Sequence, residues 1–404
     1  MLKNNNIFED LQKRGFIKQV VYEEDLKKLL SEESVVFYVG FDPTADSLHV
    51  GHMLALMGMS RLQAAGHKPI VLCGGGTGLI GDPSGRTDMR PMNDVETISY
   101  NIECFKKQMT AFFSFDGSNG AIILNNADWL ANLNYIDFLR EVGVHFSVNR
   151  MLAADCFKMR LEKGLSFMEF NYMLMQAYDF LVLHNQHGCK LQCGGDDQWS
   201  NILAGADLIR RKTANPAFVL TFPLLTTSDG IKMGKTRNGA VWLDPKKTSP
   251  YEFFQYFRNV DDADVANCLR FLTFVDSDEI DLMTMHADER MNVAKERLAY
   301  EATKIVHGED NAKRALEQSK GAFGDGGVMP ESIIPKSILT VVDALIALGL
   351  AKSKSEAKRL IEGGGIVIDD VKITSQDAKI PAECLKNGFV LYKGKKTRLR
   401  VSVE

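Results

Sequence analysis

The chain has 404 residues, 45% of them hydrophobic and 25% charged, with a formal net charge of −4. This is the profile of a globular protein of two or three domains and excludes a disordered or fibrous chain. The amino terminus lacks an apolar signal core, the most apolar window (341–350) is too short for a bilayer, and seven cysteines are scattered without disulfide spacing. Together these predict a cytoplasmic protein with no membrane partner.

Residues 35–41 are β-branched and aromatic, and predict a strand. Asp42-Pro43 breaks it, and Asp46 or Ser47 can cap a helix over about 48–64. A strand, turn and helix in succession present free backbone N–H groups and a positive helix end, which suits phosphate oxygens. His49 and His52, at i and i+3, add two donors, and Gly51 lets a flat base or ribose lie against the backbone.

A second strand is expected at 69–73. The stretch from Gly76 to Gly81 then matches GxGxxG. A dinucleotide fingerprint needs a helix opening at its last glycine, whereas Asp82-Pro83-Ser84-Gly85 is turn chemistry, which argues against a dehydrogenase. Asp82 reads instead as a fixed carboxylate for a cationic group. Arg86 and Arg90 follow on a loop suited to anionic oxygens.

Helices are expected over 95–113 and 135–142, with a strand at 121–125 between them. Between 167 and 183, Tyr172, Gln176 and Asp179 fall at i, i+4 and i+7 on an otherwise apolar helix. Surface stripes favour Lys and Glu, so this one is expected to line a polar pocket. His184, His187, Cys189 and Cys193 crowd one turn and strand without a CxxC pair, which argues against zinc. A strand at 189–192 runs into Gly194-Gly195-Asp196-Asp197-Gln198-Trp199, at the carboxyl end where ligands gather in a parallel sheet. Asp197 can accept from ribose hydroxyls there. Gly230 to Thr236 is one residue short of a P-loop, yet its Lys232 and Lys235 sit on a glycine-hinged loop able to close over a polyphosphate.

Up to about 245, strands alternate with helices, which predicts an α/β layer with a parallel sheet. From 248 the pattern is helical, opened by the capping box Ser249-Pro250-Tyr251-Glu252. Further helices are expected at about 263–274, 291–307 and 311–323, then a glycine-bearing linker. Short helices at 338–348 and 354–362 and strands at 366–368 and 389–392 follow. Residues 337–404 hold 12 Lys+Arg against 8 Asp+Glu, a net +4 on an otherwise acidic chain, which points to a polyanion.

In this order, YVGFDPTADSLHVGH, GLIGDPSG, NYMLMQAYDF, GGDDQW and KMGKT resemble the bacterial tyrosyl-tRNA synthetase family of class I aminoacyl-tRNA ligases, over essentially the whole chain. The resemblance implies a Rossmann-like parallel-sheet catalytic domain (1–247), a small helical anticodon-side domain (248–323), a linker (324–336) and a C-terminal α+β RNA-binding domain (337–404). It implies that L-tyrosine and ATP give tyrosyl-adenylate and pyrophosphate, and that tyrosine then passes to the terminal adenosine of tRNA(Tyr). His49, His52, Lys232, Lys235 and Thr44 would hold the triphosphate, with Gly51, Gly194, Asp197, Arg86 and Arg90 completing the ATP site. Tyr38 and Asp179 would take the phenol hydroxyl; Asp82, Tyr172 and Gln176 would take the ammonium. Gln198 would lie near the carboxylate, Asp42 near the bound amino acid and Asn126 in the same pocket. Mg2+ would accompany the phosphates with no tightly bound protein metal, and the family implies a homodimer whose tRNA spans both subunits.

Asp196 departs from the serine more often found there, leaving open which of Asp196 and Asp197 meets the ribose. Val39 and Ala55 replace hydrogen-bonding residues of some relatives, and Gly234 replaces the serine of the lysine motif. A tryptophan ligase of the same fold is the nearest alternative; Asp179 beside Tyr38 suits a phenol better than an indole. A non-catalytic RNA-binding protein on this scaffold would need broken phosphate motifs, and both are intact.

Overall fold

The computed structural model describes residues 6–85, 88, 93–236, 239–286, 290–322, 331–351, 353–394 and 397–404. The chain packs into two compact units, Met1–Ser249 with Asn259–His307, and Pro250–Arg258 with Gly308–Glu404.

Among the described residues, the first unit is built on a six-stranded sheet. Its strands are β1 (Gln19–Val21), β2 (Val36–Phe41), β3 (Lys68–Cys73), β4 (Ile122–Asn125), β5 (Leu191–Gly195) and β6 (Phe218–Phe222). Their spatial order is β1-β6-β5-β2-β3-β4. All neighbours run parallel except β1, which pairs antiparallel with β6. The chain moves outward from β2 to β3 and β4, then returns to the other side of β2 with β5 and β6. The strand order therefore reverses between β2 and β5, and a crevice opens beyond their carboxyl ends.

Helices cover both faces, so the inner strands are buried on both sides and read as apolar runs. β6 (FVLTF) is buried at every position, which is why no alternating pattern marks it in the sequence. The Phe167–His187 and Trp199–Thr213 helices pack on each other, with Phe180, Ile202 and Leu208 in the core beneath the sheet.

The helix expected from about 48 runs Val50–Ala64 and is capped by His49, not by Asp46 or Ser47. Ser47 is used otherwise: its hydroxyl donates to the Leu48 carbonyl and accepts from the Asp244 N–H. Further along, Arg61 is buried and donates to Asp10 and to the Thr273 carbonyl, which fastens the helix to the end of the Asp262–Leu272 helix. Burial lowers the Arg61 guanidinium to about 10, still far above neutrality. Beyond β6 a short hairpin, β7 (Lys235–Thr236) and β8 (Gly239–Ala240), closes the lysine loop.

In the second unit, the Pro250–Arg258 helix packs against the Glu309–Ala322 helix. The described strands there are β9 (Glu331–Ile334), β10 (Ile366–Ile368), β11 (Val371–Lys372), β12 (Phe389–Lys393) and β13 (Thr397–Val403), in the order β11-β10-β12-β13-β9. The Val341–Ala347 and Lys354–Glu362 helices join this sheet over a core of Val341, Leu345, Ile361, Ile366, Leu391 and Val401. Among the described residues, no helix is long and apolar enough to cross a membrane. The cysteines are all free thiols.

Candidate active site

A cleft of about 690 Å³ lies at the strand-order reversal. It is lined by Tyr38, Asp42, Thr44, His49, Gly51 and His52 from β2 and the following turn and helix. From the other side come Asp82, Asn126, Tyr172, Gln176 and Asp179, then Gly194, Asp197, Gln198 and Lys232. The fold thus gathers residues spread over nearly two hundred positions. Arg86 and Arg90 lie outside the described residues, as does the Lys235 side chain.

At the mouth, the two histidines form a reciprocal cap. His49 Nδ1 accepts from the Gly51 N–H at 3.0 Å, and His52 Nδ1 accepts from the His49 N–H at 3.1 Å. With Nδ1 accepting in both rings, the donor nitrogen of each is Nε2. A Cβ at Gly51 would stand 2.8 Å from the His49 ring, so the glycine is required by the cap itself. Gly234 has φ of 81°, a left-handed conformation that explains why glycine occupies this loop position. Lys232 Nζ lies 3.8 Å from Asp197 Oδ2, so a loop lysine and the cleft carboxylate face each other.

Deeper in, polar groups bond to one another. Tyr172 donates to Asp42 Oδ2 at 2.9 Å, and Thr77 donates to Asp42 Oδ1 at 2.9 Å. Gln198 donates to Asp82 Oδ2 at 2.7 Å, while the Ser84 N–H holds the other Asp82 oxygen at 2.9 Å. The neighbouring carboxylate is differently employed: Asp196 accepts from Gln19 and Thr221, which ties it to β1 and β6.

Asp179 is buried at the cleft floor. Asn126 Nδ2 donates to its Oδ2 at 2.9 Å and Trp129 Nε1 to its Oδ1 at 2.7 Å. Burial raises the Asp179 carboxyl to about 7, aided by the Asp42 charge and opposed by the two N–H donors. Burial and the nearby Asp179 charge raise the Tyr38 phenol well above its ordinary value. The Tyr38 hydroxyl and the Gln176 and Gln192 amide oxygens are buried without a hydrogen-bond partner, acceptor and donor sites waiting in an enclosed wall.

Sequence reasoning missed Trp129, Thr77 and Gln192. Trp129 stands three residues beyond Asn126 on the Ala127–Leu130 helix, and that spacing was the available signal. Gln192 pairs in register with Tyr38 across β2 and β5, and so shares its face. Within the histidine–cysteine cluster, His184 Nδ1 faces the Cys189 carbonyl at 2.9 Å and the Cys189 thiol donates to the Leu191 carbonyl.

The family described as tRNA synthetases class I (W and Y) matches residues 30–324, and the tyrosine–tRNA ligase SYY-like C-terminal domain matches 323–400. A tyrosine–tRNA ligase of Clostridium botulinum is 54% identical over 407 residues, covering 99% of this chain and 100% of the relative. That of Acetivibrio thermocellus is 53% identical at the same coverage. A C-terminally truncated mitochondrial tyrosyl-tRNA synthetase of Aspergillus nidulans superposes with a TM-score of 0.70 at 32% identity, covering 78% of this chain and 94% of that one. A tyrosyl-tRNA synthetase of Archaeoglobus fulgidus, solved with L-tyrosine, has a TM-score of 0.59 at 19% identity over 77% of this chain and 100% of its own, and shares the fold. Sequence, cleft and fold agree: the chain belongs to the tyrosine–tRNA ligase family of class I tRNA synthetases.

Proposed function

We propose that the cleft joins the carboxylate of L-tyrosine to the α-phosphate of ATP, releasing pyrophosphate, and then passes the tyrosyl group to the terminal adenosine of tRNA(Tyr). As a member of its family the chain is an aminoacyl-tRNA ligase. The observation that carries the substrate assignment is that buried Asp179 and the buried Tyr38 hydroxyl, which has no hydrogen-bond partner, line the same cleft as His49 and His52.

The substrate carboxylate is itself the nucleophile, so the residues need only bind, orient and neutralise. Tyr38 and Asp179 take the phenol hydroxyl. Asp82, Tyr172 and Gln176 take the ammonium, with Asp42 behind Tyr172. Gln198, held on Asp82, lies toward the carboxylate. Asn126 holds the Asp179 carboxylate from behind. Asp197, together with Gly194, reads the ribose; Asp197 lines the cleft, whereas Asp196 is tied to Gln19 and Thr221. Gly51, Thr44, His49, His52, Lys232 and Lys235 meet the triphosphate, with Arg86 and Arg90 assigned there from sequence alone.

Among the described residues no group of three His, Cys, Asp or Glu side chains is gathered to hold a metal. Mg2+ fits this site as a companion of the ATP phosphates, where it would supply charge neutralisation.

Residues 1–247 are proposed as the catalytic domain, 248–323 as the anticodon-side helical domain, 324–336 as a linker and 337–404 as the tRNA-binding domain. A homodimer is supported by exposed apolar side chains at Tyr135, Ile136, Val144 and Val148, of which Val144 lines a groove of about 440 Å³. Cytoplasmic residence is supported by the free cysteines.

The test is exchange of labelled pyrophosphate into ATP with each amino acid in turn. Exchange should depend on tyrosine, and exchange that is indifferent to tyrosine or selective for tryptophan would overturn the assignment.

A further inference from the structure

We propose that Asp264 and Cys268 on the Asp262–Leu272 helix are positioning residues that hold the lysine loop in register with the phosphate end of the cleft. The proposal rests on the ATP reading of that loop and adds the element that aims it.

The loop has little burial of its own at its tip: Thr226, Ser228, Asp229 and Gly230 are exposed, and Ile231 is 63% exposed. Two anchors fix it. The Ser228 N–H donates to Asp264 Oδ1 at 2.6 Å, and Cys268 Sγ meets Met233 Sδ at 3.8 Å. Asp264 and Cys268 are i and i+4, so one helix face carries both anchors. Asp264 is 4% exposed, Cys268 1% and Met233 6%. A buried carboxylate is costly without a partner, and a short N–H···O bond to it is among the stronger kinds.

The same helix packs against the Val50–Ala64 helix, which presents His49 and His52. Arg61 adds a bond from that helix to Thr273, just past the end of the anchoring helix. One helix thus references both halves of the phosphate site, the histidine pair through packing and the loop through Asp264 and Cys268. A small displacement of either half would misplace donors that act on the departing pyrophosphate.

The experiment uses the full chain and measures tyrosine-dependent pyrophosphate exchange alongside tyrosine affinity without ATP. Asp264→Ala should lower kcat for exchange by about ten- to a hundredfold, with tyrosine affinity unchanged. Asp264→Asn keeps an oxygen to accept from Ser228 and should recover most of the loss. Ser228 is the second residue of a turn closed by Gly230 N–H to Thr227 carbonyl, a place where proline is favoured. Ser228→Pro therefore keeps the turn and removes the donor; it should reproduce the loss, and adding Asp264→Ala should cost little more.

Wild-type kcat in Asp264→Ala, a parallel fall in kcat and tyrosine affinity, or losses that multiply in the double variant would each overturn the proposal. If Asp264→Ala does not fold, the Asn and Pro variants decide. Wild-type exchange that ignores tyrosine would refute the underlying reading instead, so the two failures are distinct.

Discussion

Burial lifts the Asp179 carboxyl to about 7 while Asn126 and Trp129 pull the other way. The folded value thus lies above the unfolded one of 3.8, and the ligand-free folded chain holds the extra proton between them. Stability therefore falls as pH rises through that window, and the penalty is fully present above about 7. Asp179→Asn should raise the melting temperature of the ligand-free protein above neutrality and lose that advantage on acidification; a pH series of thermal melts checks it. Function runs the opposite way. The ionised carboxylate is the better acceptor for a phenol, so tyrosine affinity should tighten as pH rises through neutrality and lose that step in Asp179→Asn. The same variant should reduce the preference for tyrosine over phenylalanine by roughly ten- to a hundredfold, because a recognition bond to a charged group is lost. Competition binding with the two amino acids measures the ratio.

At the scale of elements, the start of the Val50–Ala64 helix sets two imidazole rings side by side, its first N–H groups already bonded to the Val241 carbonyl, the His49 ring and the His49 carbonyl. Replacing His49 and His52 together by Ala should remove about 3 kcal/mol of transition-state stabilisation per donor, less than additively, with tyrosine binding retained. Pyrophosphate exchange and fluorescence titration separate the two effects. This segment was legible in the sequence because its chemistry fixes both residue type and spacing. So was the Tyr172, Gln176, Asp179 stripe, since a helix repeat alone places the three on one face. The cap was not: Asp46 and Ser47 are better cap formers by type, but the Gln108 amide oxygen accepts from Ser47 and the Leu48 N–H, and the Asp244 N–H donates to Ser47, which claims that region. β6 escaped because a strand buried on both faces has no alternation. Trp129 and Asp264 escaped because their partners lie 50 and 36 residues away, and local patterns carry no record of such pairings.

Across the whole molecule, every assigned group of the cleft belongs to the first unit, while the basic residues of the tail lie in the second. Lys393 donates to the Leu350 carbonyl and the Arg398 guanidinium lies over the Tyr392 ring at 6.0 Å, so part of that basic strand is held by its own sheet. Lys395 and Lys396 lie outside the described residues. A chain ending near 326 should still form tyrosyl-adenylate but charge tRNA poorly. Pyrophosphate exchange and tRNA acylation on the same preparation check both halves of that statement.

The Pro250–Arg258 helix leaves the first unit, joins the second, and lets the chain return to the first at Asn259. Phe253, Phe254 and Phe257 are fully buried there, and the helix packs against Glu309–Ala322. During synthesis those three rings therefore emerge roughly 50 residues before the packing partner, a delay of about 3–10 s at ordinary ribosomal rates. For that interval the nascent chain carries a bare aromatic face, which makes it a natural point of contact for a chaperone. A ribosome pausing after the rings have left its exit tunnel, but before the Glu309–Ala322 helix has done so, would lengthen the exposure.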